Sequence, residues 1–205
     1  MNKQVIVAGI GTEIGKTVAS AILVKALQAA YWKPVQSGYP TDSDVRTVQE
    51  LTGNKTTFFP SRYNLTEPLS PHTAAEIDGV QIALSDFELP QTTGPLVVEL
   101  AGGLLVPLND QDTNLDLIKR LQLPVVLVSK NYLGSINHTL LSVELLKSNG
   151  IPILGLILNG ETNASGEKFI ENYTKLPVIC RIFPEPQIQS ETVEKYAKSV
   201  IWPAK

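Results

Sequence analysis

This 205-residue chain contains one cysteine and two histidines, and it has no surplus of positive charge. Cys180 has no second cysteine to pair with, so it reads as a small apolar residue of a reducing compartment. His72 and His138 stand far apart, and neither H-x-x-x-H nor C-x-x-C occurs. That excludes a zinc-type site, and both histidines are expected in structural roles. Lysine and arginine total 17 against 20 acids, a net charge of −3 with pI ≈ 5.4. No stretch is basic enough to follow a nucleic acid backbone. No apolar run approaches the length of a membrane span or a signal-peptide core. The expectation is a cytoplasmic protein that binds neither nucleic acid nor membrane. Fourteen prolines and fourteen glycines are scattered, without linker, repeat or low-complexity tract. With 43% hydrophobic residues, the chain suits one domain over 1-205.

Four short apolar runs are present: Val5–Ala8, Leu96–Val98, Val125–Val128 and Ile153–Leu158. They do not alternate with polar residues, so they read as strands buried on both faces of a parallel sheet. Helical spacing lies between them. Ala19, Leu23, Ala26 and Ala30 share a stripe after Lys16, Asn114 to Leu121 makes a short helix, and Ser135 to Asn149 a longer one bearing Leu141 and Leu145. Gly150 and Pro152 stop that helix. Glu191 to Val200 reads as the last helix, while residues 54–94 are the least legible. The fold class is α/β, a three-layer arrangement with a mostly parallel central sheet flanked by helices. Ligands in such folds lie at the carboxyl ends of the strands.

Val7-Ala8-Gly9-Ile10-Gly11-Thr12-Glu13-Ile14-Gly15-Lys16-Thr17 joins a strand to a helix. Glycines let backbone N–H groups curl around phosphate oxygens, and the helix start adds partial positive charge. In a phosphate-binding loop Lys16 reaches the β- and γ-phosphates of a nucleoside triphosphate and the Thr17 hydroxyl ligates Mg²⁺. The common pattern G-x-x-x-x-G-K-[ST] wants glycine at Ile10. Here Gly9 comes one residue early.

Lys33, in Tyr31-Trp32-Lys33-Pro34-Val35-Gln36-Ser37-Gly38, reads either as a cleft-facing lysine at a strand's end or as a surface lysine before proline. Asp42 and Asp44 read as Mg²⁺ ligands or, taken alone, more naturally as caps of the helix beginning near Val45. Glu99 ends the apolar run Leu96–Val98 and reads as a metal-facing carboxylate, because a charge abutting a buried strand needs a partner, or as a simple exposed turn acid. Ser70 and Pro71 look like N-cap and first residue of a helix. Asn159 could read a base edge or start an Asn-Gly turn.

Taken together, these motifs resemble the dethiobiotin synthetase family. The resemblance is carried by Gly9 to Thr17, Lys33 to Gly38, Ser43-Asp44, Pro68 to His72, Glu99 to Gly103 with Val106-Pro107-Leu108, Gly134 to His138, and Asn159, in the family's order. It implies an enzyme that uses ATP and Mg²⁺ to close the cyclic urea of dethiobiotin from 7,8-diaminononanoate and CO₂, through a carbamate and a carbamic–phosphoric anhydride. It also implies a homodimer with a shared site. By position, Glu13, Ile14, Gly15, Lys16, Thr17 and Val18 would hold the phosphates; Asn159, Pro184 and Glu185 the adenine. Thr17, Asp44 and Glu99 would surround Mg²⁺. Lys33 and Lys16 would be catalytic, and Thr12, Lys33, Ser37 and Gly102 would line the substrate. Gly134, Ser135, Ile136 and Asn137, from the second subunit, would take its carboxylate.

Two residues depart from the family pattern. Leu100 replaces the first glycine of Glu-Gly-Ala-Gly-Gly, which raises the question of how closely the chain approaches substrate there. Gly11 stands where aspartate is common. A competing reading is a partition-type P-loop ATPase, a nucleotide-switched binding protein. Such proteins carry a second lysine early in the loop, which Gly11-Thr12-Glu13-Ile14 lacks.

Overall fold

A computed structural model describes residues 3–53 and 56–202; the first residue of the poorly legible stretch, Asn54, lies outside them. The elements run β1 (Gln4–Gly9), α1 (Lys16–Leu27), β2 (Ala30–Trp32), β3 (Val35–Gln36), α2 (Asp44–Thr52), β4 (Phe58–Phe59), β5 (Tyr63–Asn64) and α3 (Pro71–Ile77). There follow β6 (Leu96–Gly103), α4 (Asn114–Leu121), β7 (Val125–Lys130), α5 (Ser135–Ser148), β8 (Ile153–Asn159), α6 (Ala164–Thr174), β9 (Val178–Ile182) and α7 (Ser190–Ala197).

Seven strands form one sheet in the order β4-β2-β6-β1-β7-β8-β9, and every pairing in it is parallel. β3 and β5 make a small parallel pair beside it. The continuous apolar runs are thereby explained, because each strand buries both faces. Val5, Val7, Val97, Val126 and Ile157 face α1, α2 and α7, where Leu23, Val48 and Val193 close the layer. Ile6, Ala8, Val98, Leu127 and Leu158 face the other side, against Ile118, Val143 and Ile170 of α4, α5 and α6.

Three sequence expectations shift. Ala30 leaves the α1 stripe: Gln28 takes a left-handed conformation (φ 52°) that ends the helix, and Ala30 opens β2. The buried side of α5 is Ser135, Thr139, Val143 and Leu146, while Leu141 is exposed. The stretch from Tyr31 divides at Lys33-Pro34 into β2 and β3, since proline supplies no ladder donor. No helix among the described residues is long and apolar enough to cross a membrane.

β1 lies between β6 and β7, and the chain leaves it in one direction toward β2 and returns from β6 to β7 on its other side. Such a reversal of strand order opens a crevice at the carboxyl ends. The loop after β1 lies there.

Candidate functional site

The loop between β1 and α1 is built as an anion cradle. Gly15, the residue before α1, has φ 92°, and Glu13 has φ 56°. From Gly11 to Val18 no backbone N–H finds a protein acceptor among the described residues. A run of free donors converging on a helix start is what phosphate oxygens satisfy. Gly15 could not be replaced without strain, because a Cβ there would lie 2.3 Å from Asn159 Nδ2. That amide, at the end of β8, donates to the Ile14 carbonyl at 2.9 Å and locks the loop from behind. The amide oxygen of Asn159 remains for a ligand.

Lys16 is buried, and its Nζ donates to the Gly11 carbonyl at 2.7 Å. Burial lowers its pKa to about 8, with Lys33 adding to the effect and Glu99 and Asp44 opposing it. Gly11, the departure from the family's aspartate, is met by nothing within 4 Å of an added Cβ, so the loop shape does not depend on glycine there.

Beside the loop, three elements and the connection between β2 and β3 bring polar and charged groups together. Thr17, in the first turn of α1, approaches Asp44 Oδ1 at 2.6 Å and Glu99 Oε1 at 3.1 Å. Lys33, 3% exposed, places Nζ 2.7 Å from Asp44 Oδ2 and 3.2 Å from Glu99 Oε1. Burial alone would depress the Lys33 ammonium, but the charges and hydrogen bonds of Glu99 and Asp44 outweigh it and hold its pKa above that of ordinary lysine. Burial would likewise raise the Asp44 carboxyl, yet Lys33, Thr17 and Lys16 bring it below the usual range. The even choice over Lys33 is settled, since it points into the cleft.

Asp44 is not the helix cap. Ser43 caps α2, its side chain accepting from Arg46 N at 3.3 Å, which frees the neighbouring carboxylate to face Thr17. The start of α2 is fixed by Gln36, whose Oε1 accepts from Asp44 N at 3.0 Å and whose Nε2 donates to the Ser37 and Asp42 carbonyls. Sequence reading passed over Gln36 and also Tyr31, whose buried hydroxyl donates to Glu99 Oε2 at 2.9 Å. The available signal was spacing: Tyr31 is two residues before Lys33 in extended chain and so shares its face.

The oxygen set fits Mg²⁺. Among the described residues no three of His, Cys, Asp and Glu cluster as a metal cage. Two carboxylates and one hydroxyl converge instead, leaving positions for water and phosphate, which Mg²⁺ prefers to an all-protein shell. The Thr17 hydroxyl has one proton for two carboxylates, so one of its two short contacts lacks a donor unless a cation joins the group.

These residues line a cleft of ≈ 720 Å³ together with Thr12, Glu13, Gly15, Val18, Ser37 and Gly102. Ser37 Oγ is buried without a partner among the described residues, an unused hydrogen-bonding group at the cleft wall. Gly102 has φ 71° and turns the end of β6 toward Thr12. Leu100 does not obstruct the cleft. Residues alternate along β6, so while Glu99 enters the site, Leu100 is 2% exposed in the core on the sheet face that α4 covers.

Two groups of expected residues lie apart from Lys33. Pro184 and Glu185 follow β9, whose Ile182 pairs with Asn159, so they border the loop's far side. Glu185 Oε1 accepts from Tyr196 at 2.7 Å and Lys195 at 3.0 Å. Gly134, Ile136 and Asn137 line a separate hollow of ≈ 790 Å³ with Tyr132 and Leu133. Ser135 is turned inward: its Oγ accepts from Tyr132 N at 3.3 Å. Its hydroxyl shapes the turn rather than facing the hollow. Tyr132 also meets His138 Nδ1 at 2.7 Å, and Ser70 meets His72 Nδ1 at 3.1 Å.

Fold and loop together define an α/β protein of the P-loop nucleoside triphosphate-binding class. The AAA domain family matches residues 3–192. The septum site-determining protein MinD complexed with Mg-ADP from Pyrococcus horikoshii OT3 superposes with TM-score 0.58 at 15% identity, covering 95% of this chain and 86% of that one. The ParA family ATPase from Chlorobium tepidum TLS gives 0.54 at 14%, covering 97% and 92%. Both likenesses concern the fold alone. In sequence the chain is 47% identical over 199 residues to the ATP-dependent dethiobiotin synthetase BioD of Christiangramia forsetii, covering 97% of this chain and 96% of the relative. It is 46% identical to that of Cytophaga hutchinsonii, covering 95% of each. The chain belongs to the dethiobiotin synthetase family.

Proposed function

We propose that this protein is an ATP- and Mg²⁺-dependent cyclo-ligase that converts 7,8-diaminononanoate and CO₂ to dethiobiotin, in biotin biosynthesis. The observation that carries the reading is Lys33: a buried ammonium beside both the phosphate cradle and the two carboxylates, where phosphate binding alone does not require one.

The residues divide the work. The free N–H groups from Gly11 to Val18 and the Lys16 ammonium hold the phosphates of ATP. Thr17, Asp44 and Glu99 hold Mg²⁺, which when bound neutralises phosphate charge. Alkyl amines have a pKa of roughly 10, so at neutral pH only about one in a thousand is free to attack CO₂. The positive groups lining the cleft favour the neutral amine and stabilise the carbamate anion that it becomes. Lys33 and the unpartnered Ser37 hydroxyl face that carbamate. Its oxygen attacks the γ-phosphorus, ADP leaves, and the second amine displaces phosphate to close the urea. The protein's part in phosphoryl transfer is positioning and charge neutralisation. Asn159, Pro184 and Glu185 border the adenine.

The remaining part of the reading is a homodimer. The start of α5 lines a hollow outside the main cleft together with exposed Tyr132 and Leu133, and Leu141 is exposed further along the helix. Its free N–H groups suit the substrate's terminal carboxylate, and the exposed apolar side chains suit a second copy that brings this helix start over the first copy's cleft.

Incubation with diaminononanoate, bicarbonate, Mg²⁺ and ATP should yield the cyclic urea by mass spectrometry, with one ADP per product. ATP hydrolysis that is indifferent to the diamine, with no urea, would instead mark a nucleotide switch.

A further inference from the structure

Glu99 is gripped at both oxygens by one extended segment. Tyr31 and Lys33, two residues apart, reach it from the same face: Tyr31 Oη donates to Oε2 at 2.9 Å, Lys33 Nζ to Oε1 at 3.2 Å. Both Tyr31 and Glu99 are essentially inaccessible, at 0% and 1% exposed, so no water competes for Oε2. Tyr31 is held in turn by the sheet register, Tyr31 opposite Val97 two residues before Glu99, and by an edge-on contact with Phe58 at 5.8 Å. Only Oε1 is turned toward Thr17 and the Asp44 side of the cleft.

We propose that Tyr31 is a positioning residue that sets cation specificity by making Glu99 offer one oxygen instead of two, favouring Mg²⁺ over Ca²⁺. This rests on the reading of Thr17, Asp44 and Glu99 as the cation's ligands. Mg²⁺ demands a compact octahedron and takes carboxylates through single oxygens. Ca²⁺ takes six to eight ligands and readily uses both oxygens of a carboxylate. With Oε2 committed to the phenol, the bidentate mode is closed. Among the described residues no other donor meets Oε2, so removing the phenol leaves it unpaired, a costly state for a buried carboxylate, and turning both oxygens to a larger cation relieves it. Tyr31 touches no substrate in this arrangement; it acts through Glu99.

The test is binding, not turnover. Mg²⁺ and Ca²⁺ are titrated calorimetrically into the protein saturated with ADP, for the wild type, Tyr31→Phe and Glu99→Gln. Tyr31→Phe keeps the ring against Phe58. It should shift the ratio of Mg²⁺ to Ca²⁺ affinities toward Ca²⁺ by about fivefold or more, the order of one hydrogen bond to a charged group. A lost core contact alone would lower Tm and leave the ratio untouched. Glu99→Gln should weaken both cations, and adding Tyr31→Phe to it should change the ratio no further, since the two act as a unit. A ratio unchanged in Tyr31→Phe while Glu99→Gln weakens both cations overturns the role of Tyr31 and leaves the ligand set standing. Unchanged affinities in Glu99→Gln overturn the ligand set and this inference with it. Should Tyr31→Phe not fold, 3-fluorotyrosine at position 31, a stronger donor, must move the ratio toward Mg²⁺; no movement overturns the proposal.

Discussion

Lys33 and Leu100 show how much of a residue's meaning depends on which way it points. Lys33 carries charge into the cleft, and Lys33→Gln should lower kcat by about two orders of magnitude or more, the scale of losing one donor from a developing charge. ATP affinity should stay within about twofold, because the phosphates are held by the cradle and Lys16. Rapid-quench kinetics with a direct nucleotide-binding assay would separate the two, and a collapse of ATP binding would assign Lys33 to the nucleotide instead. Its removal also leaves Asp44 and Glu99 facing each other, so Tm should fall. Leu100, by contrast, is core. Leu100→Ala should cost about 2–5 kcal/mol in denaturant unfolding while leaving KM for the diamine unchanged in the folded fraction. Changed KM with unchanged stability would place it at the substrate. Lys16 gives a pH signature. With its pKa near 8, a good part of it is unprotonated above that pH, and phosphate charge favours the protonated form. ATP binding at pH 8.5 should therefore take up protons, read as a dependence of binding heat on the buffer's ionisation enthalpy. The uptake should vanish at about pH 6.5 and in Lys16→Met.

At the scale of elements, most functional groups are delivered by an element's end: Lys16 and Thr17 open α1, Asp44 opens α2 and Asn159 ends β8, whereas Glu99 stands midway along β6. Asp44 and Ser43 are adjacent at one helix start yet do separate jobs. Asp44→Asn should raise the Mg²⁺ needed for half-maximal activity by about tenfold, the range seen when a metal's surroundings are altered. Ser43→Ala should cost about 1 kcal/mol of stability with no change in Mg²⁺ dependence. Equal effects of the two substitutions would reduce Asp44 to a structural acid. The sequence showed four buried strands, α1, α4, α5 and α7 and the loop itself, because continuous apolar runs and helical stripes are local patterns. β9 escaped notice because Arg181 breaks its short apolar run, and α6 because its first turn holds Ser165-Gly166, weak helix formers. Sequence reading takes Asp42 or Asp44 as the cap and passes over Ser43, although serine also caps helices; only the fold shows that Ser43 is the side chain that turns back on the helix N–H groups. Gln36 and Tyr31 were passed over because their partners, Asp44 and Glu99, are joined to them only by tertiary packing.

At the scale of the whole molecule, the main cleft and the start of α5 are separate, and that separation is what two subunits would resolve. The main cleft holds both lysines and the acids, and the start of α5 is not among its lining residues. The hollow at the start of α5 presents Gly134 and Asn137 beside Leu133, whose side chain is fully exposed, and further along the same helix Leu141 is 60% exposed. Apolar side chains in that position at a helix face are covered at little cost by a second copy. If the helix start of one subunit serves the cleft of the other, a chain defective in the cradle and a chain defective in the helix start can complement. Ser135 is a poor place for the second defect, being buried in the turn, so exposed Asn137 is the position to alter. Lys16→Ala and Asn137→Trp homodimers should each be nearly inactive. In a two-fold dimer exchanged at equal concentrations, half the molecules are mixed, and each mixed dimer has one site assembled from two intact halves and one from two defective halves. Activity should therefore return to about a quarter of the wild-type level. Subunit exchange is checked independently with differently tagged chains. No recovery despite proven exchange, or sedimentation showing a fully active monomer, would place the carboxylate site within a single chain.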